Sequence, residues 1–236
     1  MSWPWIVIPD THGQVGKVES YVQFFTKNGM LQDHQLIFLG DYLDRGPDAK
    51  ALVDLAITLQ AQGHVFLCGN HEYTLVRALE NDVNWIRRWT LNYERGTCLS
   101  YGFNPKGMLP QEKISALRSV IPQNHIEFFK NLPWFYETEN EFFIHAGLDP
   151  IESFEVQLAS LAEKWSAHWQ IDKRGPKQLF SAELAALRSN PLTKTLITGH
   201  FAVLNPIFAY KRVMLDGGVS VGGPLFAWDG KILWQV

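Results

Sequence analysis

A layered α/β sandwich with mixed sheets is the fold class predicted for this 236-residue chain, and three observations predict it. Short apolar runs, often with β-branched residues, recur along the sequence and each stops at a polar or glycine-rich turn. Helical patterns fall between them. Several runs are almost uniformly apolar, which suits strands covered on both faces more than a sheet with one wet face.

The strand expectations are Trp5 to Ile8, Gln35 to Leu39, His64 to Cys68, Glu141 to Ile144, Thr195 to Thr198 and Arg212 to Leu215. Helical patterns cover Val18 to Asn28 with Gly29 as the stop, Asp48 to Gln62 with Gly63 just beyond, and Gln111 to Ile121 before Pro122. Two closing strands, Leu225 to Trp228 and Ile232 to Val236, are expected to join through an Asp229-Gly230 hairpin turn. The chain shows no repeat, low-complexity tract or linker, so residues 1–236 read as one catalytic domain. Two mostly helical inserts, at about 73–136 and 150–191, would roof or flank a site.

Composition narrows the function classes. With 46% hydrophobic residues the chain can bury roughly 70–75% of its extended-chain surface, so disorder is not expected. A net charge of -3 supplies no broad basic surface, and DNA is not the expected partner. Cys68 and Cys98 are too few for a disulfide framework, which fits a reducing cytoplasm. The amino terminus lacks the basic start of a signal peptide, and no run reaches the ~18 apolar residues of a membrane span. A soluble cytoplasmic protein is expected.

The chemistry sits where apolar runs end. Five motifs stand there: Pro9-Asp10-Thr11-His12-Gly13, Gly40-Asp41-Tyr42-Leu43-Asp44-Arg45-Gly46, Gly69-Asn70-His71-Glu72, His145-Ala146-Gly147 and Gly199-His200. In open α/β sheets ligands gather outside the carboxyl ends of strands, where successive loops converge. Asp10 and His12 are two residues apart, so in an extended segment both side chains can reach one ion. Asp41, after a separate strand and with two carboxylate oxygens, suits a bridge between two ions. Each motif alone reads as a turn, a cap or a hydrogen-bonded histidine. Their joint occurrence in this order points instead to a two-metal phosphoesterase, in which ions about 3.5–4 Å apart clamp phosphate and activate water.

Those five motifs resemble the calcineurin-like metallophosphoesterases, most closely their phosphoprotein phosphatase branch, which holds Ser/Thr phosphatases and symmetrical diadenosine tetraphosphatases. The resemblance implies a four-layer sandwich of mixed sheets flanked by helices. It implies that Asp10, His12 and Asp41 bind a first metal, and that Asn70, His145, His200 and the shared Asp41 bind a second. The ions implied are divalent, Mn first, with Fe, Zn, Ni or Co as alternatives. A metal-bridging hydroxide would attack phosphorus directly. Arg45 resembles the phosphate clamp, His71 the general acid and Asp44 the group that holds its imidazole, while Asn70 and His71 also border the substrate.

The sequence departs from that pattern in places. Pro9 stands where Gly or Ser is common, and a second phosphate-binding arginine is unassigned among Arg95, Arg174 and Arg188. Asp44 and Glu72 favour phosphomonoesters, including phosphorylated Ser/Thr in proteins, over dinucleoside tetraphosphates, which stay as the alternative; a metal-binding scaffold without turnover is the third reading. Trp85, Trp89, Trp165 and Trp169 recur at i, i+4 spacing and are expected to pack rather than stack on a base. Arg87 and Arg88 are expected on a solvated face, and Cys68 as a small buried strand residue.

Overall fold

The computed structural model describes residues 4–92, 95–162 and 192–236. From the amino end, β1 (Trp5–Ile8), α1 (Val15–Lys27), β2 (Gln35–Phe38), α2 (Ala49–Ala61) and β3 (Val65–Phe66) alternate strand and helix. The first insert supplies α3 (Asn70–Leu79), α4 (Val83–Asn92), α5 (Arg95–Ser100), α6 (Pro110–Val120) and α7 (Gln123–Asn131). There follow β4 (Phe135–Glu137), β5 (Glu141–Ile144), α8 (Phe154–Ala162), β6 (Thr195–Thr198), β7 (Ile207–Ala209), β8 (Arg212–Met214), β9 (Phe226–Trp228) and β10 (Leu233–Gln235). Trp165, Trp169, Arg174 and Arg188 lie outside the described residues.

Two five-stranded sheets form, in the orders β10-β9-β1-β2-β3 and β4-β5-β6-β8-β7. Pairing is parallel for β1 with β2 with edge strand β3 and for β5 with β6 with β8, and antiparallel for β1 with β9, β9 with β10, β4 with β5 and β7 with β8. The period-two alternation of side chains then decides the layers. Val7, Ile37, Leu39 and Leu67 of the first sheet meet Phe143, Ile197, Val213 and Leu215 of the second in one buried cluster. One residue out of phase, Ile6, Ile8, Leu36, Phe38 and Phe66 pack instead with helix residues such as Val18, Phe25, Leu52 and Leu75. On the far side Phe142 meets Phe154 of α8 edge-on at 5.5 Å. The result is helix, sheet, sheet, helix. Each side chain sealed between the sheets contributes roughly 1.5–3 kcal/mol, which makes that interface a stiff platform for the loops at its edge.

Register aligns those loops. Ile8 lies opposite Phe38 and Thr198 opposite Met214, so neighbouring parallel strands end at one level. The helices begin and end on local chemistry: Asp48 accepts the Ala51 N–H at 2.9 Å as N-cap of α2, and Gly29 takes φ 70° after α1.

Several boundaries differ from expectation for identifiable reasons. Helix α1 starts at Val15, three residues before the apolar pattern becomes regular. Strand β3 is only Val65–Phe66, because the Cys68 N–H leaves the ladder and donates to Pro133 O at 2.8 Å. The closing hairpin uses four residues, with Trp228 opposite Leu233, and the Asp229 carboxylate accepts the Lys231 and Ile232 N–H groups. Strand β4 overlaps the carboxyl end of the insert expected at about 73–136. Strand β7 went unread because its turn to β8 is Tyr210-Lys211, with φ 52° and 56°, instead of the Asn-Gly that usually marks such a turn.

Left-handed backbone strains L-residues, so that turn stores free energy. Replacing Tyr210 with Asn and Lys211 with Gly is expected to stabilise the protein by about 1 kcal/mol in urea unfolding, and a loss of stability would show that the turn is not strained.

Candidate functional site

All of the residues singled out in the five motifs converge at the carboxyl edge of the two sheets. Asp10 and His12 follow β1, Asp41 follows β2, Asn70 opens α3 just after β3, His145 follows β5 and His200 follows β6. The loops are tied to each other. Thr11 and His12 N–H groups both donate to Asp41 O, Gly13 N–H donates to Tyr42 O, His200 N–H donates to Asp10 Oδ1 at 2.9 Å, and Gly199 N–H donates to His145 O.

Local backbone here is under constraint. Among the described residues, eight that are not glycine take positive φ, and five of them are His12, Asp41, Asp44, Arg45 and His200. Strain of this kind persists only where surrounding contacts over-determine the loop, and it concentrates at sites that bind or react. Two glycines are required for the same reason. A β-carbon at Gly69 would collide with Asp41 Oδ1, and one at Gly199 with Asp10 Oδ1.

The imidazoles are pre-set. His12 Nδ1 lies 2.8 Å from Leu43 O and His145 Nδ1 lies 2.9 Å from Leu39 O, so each ring donates there and turns the lone pair of Nε2 toward the site. His145 Nε2 is 2.9 Å from Asn70 Oδ1, 3.1 Å from His200 Nδ1 and 3.5 Å from Asp41 Oδ1. His12 Nε2 is 3.7 Å and His71 Nε2 3.6 Å from Asp41 Oδ2. Donor atoms of Asp41, His145 and His200 lie within 4.8 Å of one another, and so do those of His12, Asp41 and His71. Asp41 belongs to both clusters.

Protonation follows from burial. Asp10 and Asp41 are both raised well above the usual carboxyl value, first by burial, with Asp216 next for Asp10 and Asp10 next for Asp41. His12 and His145 are pushed well below theirs, again first by burial, which leaves them neutral and ready to act as ligands. Buried carboxyls that repel each other, facing neutral imidazoles and an amide oxygen, fit divalent cations of the Mn, Fe or Zn kind. Such an ion removes the cost of the buried charges.

A second unit adjoins the clusters. His71 Nδ1 and Asp44 Oδ2 are 2.7 Å apart and both side chains are buried. Burial pushes Asp44 up to about 7, while Thr97, Trp89 and Arg45 pull it down. His71 is held well below the usual imidazole value by burial, then by Arg45 and His200. Arg45 is exposed at the mouth, with a nitrogen 3.4 Å from Ser220 Oγ.

Three residues contribute in ways the motifs did not assign. The Glu72 carboxylate accepts backbone N–H groups from Gly69, Asp41, Tyr42 and Leu43 at 3.0, 2.9, 2.8 and 3.2 Å. It holds the whole loop that presents Asp41, Asp44 and Arg45. The Thr97 hydroxyl donates to Asp44 Oδ1 and accepts the Asp44 N–H at 3.0 Å. Asp216, after β8, is buried beside Asp10 and accepts the Gly218 N–H at 2.8 Å. Glu72 stands in a motif and Asp216 ends an apolar run, whereas Thr97 carries no such signal. As expected, Trp85 and Trp89 are sealed in the core, with Trp85 against Tyr73; the Trp89 indole also borders Asp44. Cys68 is fully buried. No helix among the described residues is long and apolar enough to cross a membrane.

The model of the calcineurin-like phosphoesterase family matches residues 4–204. The chain belongs to that family. As a calcineurin-like phosphoesterase it is 38% identical over 80 residues to a Caenorhabditis elegans protein named as a candidate serine/threonine-protein phosphatase, a match that takes in 32% of this chain and only 17% of that relative. A solved structure described as a candidate diadenosine tetraphosphatase shares the fold at 17% identity and TM-score 0.62, covering 100% of this chain and 94% of that one. The cold-active protein-tyrosine phosphatase of a psychrophilic Shewanella matches at 14% identity and TM-score 0.57, over 98% of this chain and 76% of its own.

Glu72→Gln replaces an acceptor-only carboxylate with an amide that cannot take all four N–H groups. It is expected to cost about 1–3 kcal/mol in denaturant unfolding, and a change under about 0.5 kcal/mol would show that Glu72 does not anchor the loop.

Proposed function

We propose that the chain is a dinuclear metal-dependent phosphatase acting on phosphomonoesters, with phosphorylated Ser or Thr side chains of proteins as its substrate class. The buried Asp44–His71 pair, 2.7 Å apart and beside two clusters that share Asp41, carries this reading. A scaffold that merely held metals would need the clusters. It would have no use for an oriented imidazole and a mouth arginine next to them.

In this reading Asp10, His12 and Asp41 hold one ion, and Asn70, His145, His200 and the same Asp41 hold the other. Mn is the first choice, with Fe, Zn, Ni or Co as alternatives. Divalent ions, when bound, supply Lewis acidity and bring the pKa of a water toward neutrality. The chain's own residues do the rest. The Arg45 guanidinium bonds two oxygens of the phosphoryl group and holds it in line for attack. His71 lies within the His12 and Asp41 cluster, but its Nδ1 is committed to Asp44, so Nε2 is left to donate a proton to the departing oxygen. Burial and Arg45 disfavour the imidazolium; a phosphate dianion beside it restores the balance and returns the proton to His71. Thr97 holds Asp44 so that the ring keeps one orientation.

The likeness to a diadenosine tetraphosphatase, which spans nearly both whole chains, supports a second reading, symmetrical cleavage of dinucleoside tetraphosphates. One assay separates the two. Metal-stripped protein reloaded with Mn is given a phosphoserine peptide or diadenosine tetraphosphate at equal concentration, with phosphate and ADP followed separately. Faster phosphate release from the peptide is expected, and dominant ADP would replace the first reading with the second.

His71→Asn should keep the metal content and slow an alkyl phosphate by about 10²–10⁴-fold, with a smaller loss on p-nitrophenyl phosphate, whose leaving group needs no proton. Equal turnover of the alkyl phosphate would remove His71 from the acid role. Asp41→Asn should abolish tight binding of both ions, read by metal analysis.

Metal binding should also depend on pH. Asp10 and Asp41 are raised, so in the metal-free protein they hold protons above the usual carboxyl range and those protons compete with the ions. Affinity therefore falls as pH falls. Calorimetry is expected to show weaker Mn binding at about pH 6 than at about pH 8, with protons released in proportion, and affinity independent of pH would contradict the raised carboxyls.

A further inference from the structure

Beyond the metal clusters, the mouth of the site continues into a groove whose lining is basic. A cleft of about 640 Å³ beside the metal clusters is lined by Gln14, Arg45 and Arg95 among others, and a second of about 390 Å³ by Arg95, Asn104, Lys106 and Lys113 among others. Arg95 borders both. Its position is built in: the next residue, Gly96, packs on the Arg45 loop so tightly that a β-carbon there would sit 2.7 Å from Gly46 O and 3.0 Å from Arg45 N. The residue after that, Thr97, is bonded to Asp44. The segment that steadies the Asp44–His71 pair thus also sets Arg95 next to Arg45. Lys106 is placed by a turn in which Asn104 Oδ1 accepts its N–H at 3.0 Å.

Charge and shape select the occupant. The chain as a whole carries a net charge of -3, yet among the described residues lining the two clefts four are cationic and none is acidic. Among those same described residues none is aromatic. An open groove with four cationic side chains along its described lining suits an extended acidic chain leaving the scissile phosphate. We infer that the Arg45–Arg95–Lys106–Lys113 groove is a substrate subsite that binds acidic residues flanking the phosphorylated residue of a peptide. The inference rests on the phosphomonoesterase reading above and names which phosphopeptides that site prefers.

The test uses the Mn-loaded enzyme turning over p-nitrophenyl phosphate, inhibited by two non-hydrolysable phosphonate analogues of a phosphoserine peptide. One is flanked by Asp and Glu, the other by Ser and Gly. The readout is the ratio of the two inhibition constants within each variant, so a general change in activity cancels. In the unmodified enzyme the acidic peptide is expected to bind about tenfold tighter, as two or three solvent-exposed charge pairs allow, and the ratio should shrink in high salt. Arg95→Ala should bring the ratio near one. If that variant fails to fold, Lys106→Ala combined with Lys113→Ala, farther from the loop, should reduce it several-fold.

Equal constants for the two peptides in an enzyme that turns over p-nitrophenyl phosphate would overturn the subsite and leave the phosphatase reading standing. A ratio that survives both variants would overturn it equally. Tighter, Arg95-dependent inhibition by a polyphosphate chain than by the acidic peptide would assign the groove to phosphates instead. Absence of any phosphomonoester turnover would remove the phosphatase reading itself, and the subsite with it.

Discussion

Four backbone N–H groups point at one buried carboxylate, and the site depends on that convergence. Glu72 takes its bonds from Gly69 and from three successive residues, Asp41, Tyr42 and Leu43, of the loop after β2. Burial drives its pKa up to about 7, and the four N–H groups pull it down. A neutral acid would spend one oxygen as a donor among donors, so full satisfaction of the loop requires the charged form. This anchor lets the loop adopt the positive φ angles at Asp41, Asp44 and Arg45, conformations that the residues themselves would not choose.

The same economy of construction runs through the neighbouring loops. The sheet-to-sheet interface holds the strand ends rigid, the aligned register brings them to one level, and hydrogen bonds between loops from both sheets close the remaining freedom. Glycine at 69 and 199 permits carboxylates to approach backbone more closely than any side chain would allow. Preorganisation of this kind means that reorganisation is complete before substrate arrives.

Electrostatics supplies the asymmetry that chemistry needs. Burial first, and like-charged neighbours after it, pushes the carboxyls up and the imidazoles down, so the metal-free site favours protonated acids and neutral imidazoles, and a cation has to displace those protons from the acids. The Asp44–His71 pair reaches into one of the clusters, with Nδ1 held by Asp44 and Nε2 3.6 Å from Asp41 Oδ2. Arg45 lowers the pKa of both partners and also borders the open groove.

Much of this was legible in the sequence. Side chains that end uniformly apolar runs must lie at strand ends, so Asp10, His12, Asp41, Asn70, His145 and His200 could be placed at one edge before any coordinates existed. Period and turn chemistry likewise located α2 and most of the central strands. Tertiary structure decided the rest, and each case has a physical reason. Thr97 acts through a hydroxyl brought to Asp44 from 53 positions away in sequence, and no local pattern encodes such a bond. Glu72 looked like part of a motif, but its work is done on backbone groups about 30 residues distant, and backbone leaves no trace in side-chain spacing. The Tyr210-Lys211 turn hid β7 because pairing of the flanking strands, and not the turn residues' own preference, imposes its left-handed angles. Arg95 became meaningful only when Gly96 was found packed on the Arg45 loop: charge can be counted along a chain, but its convergence with other charge is a property of the fold.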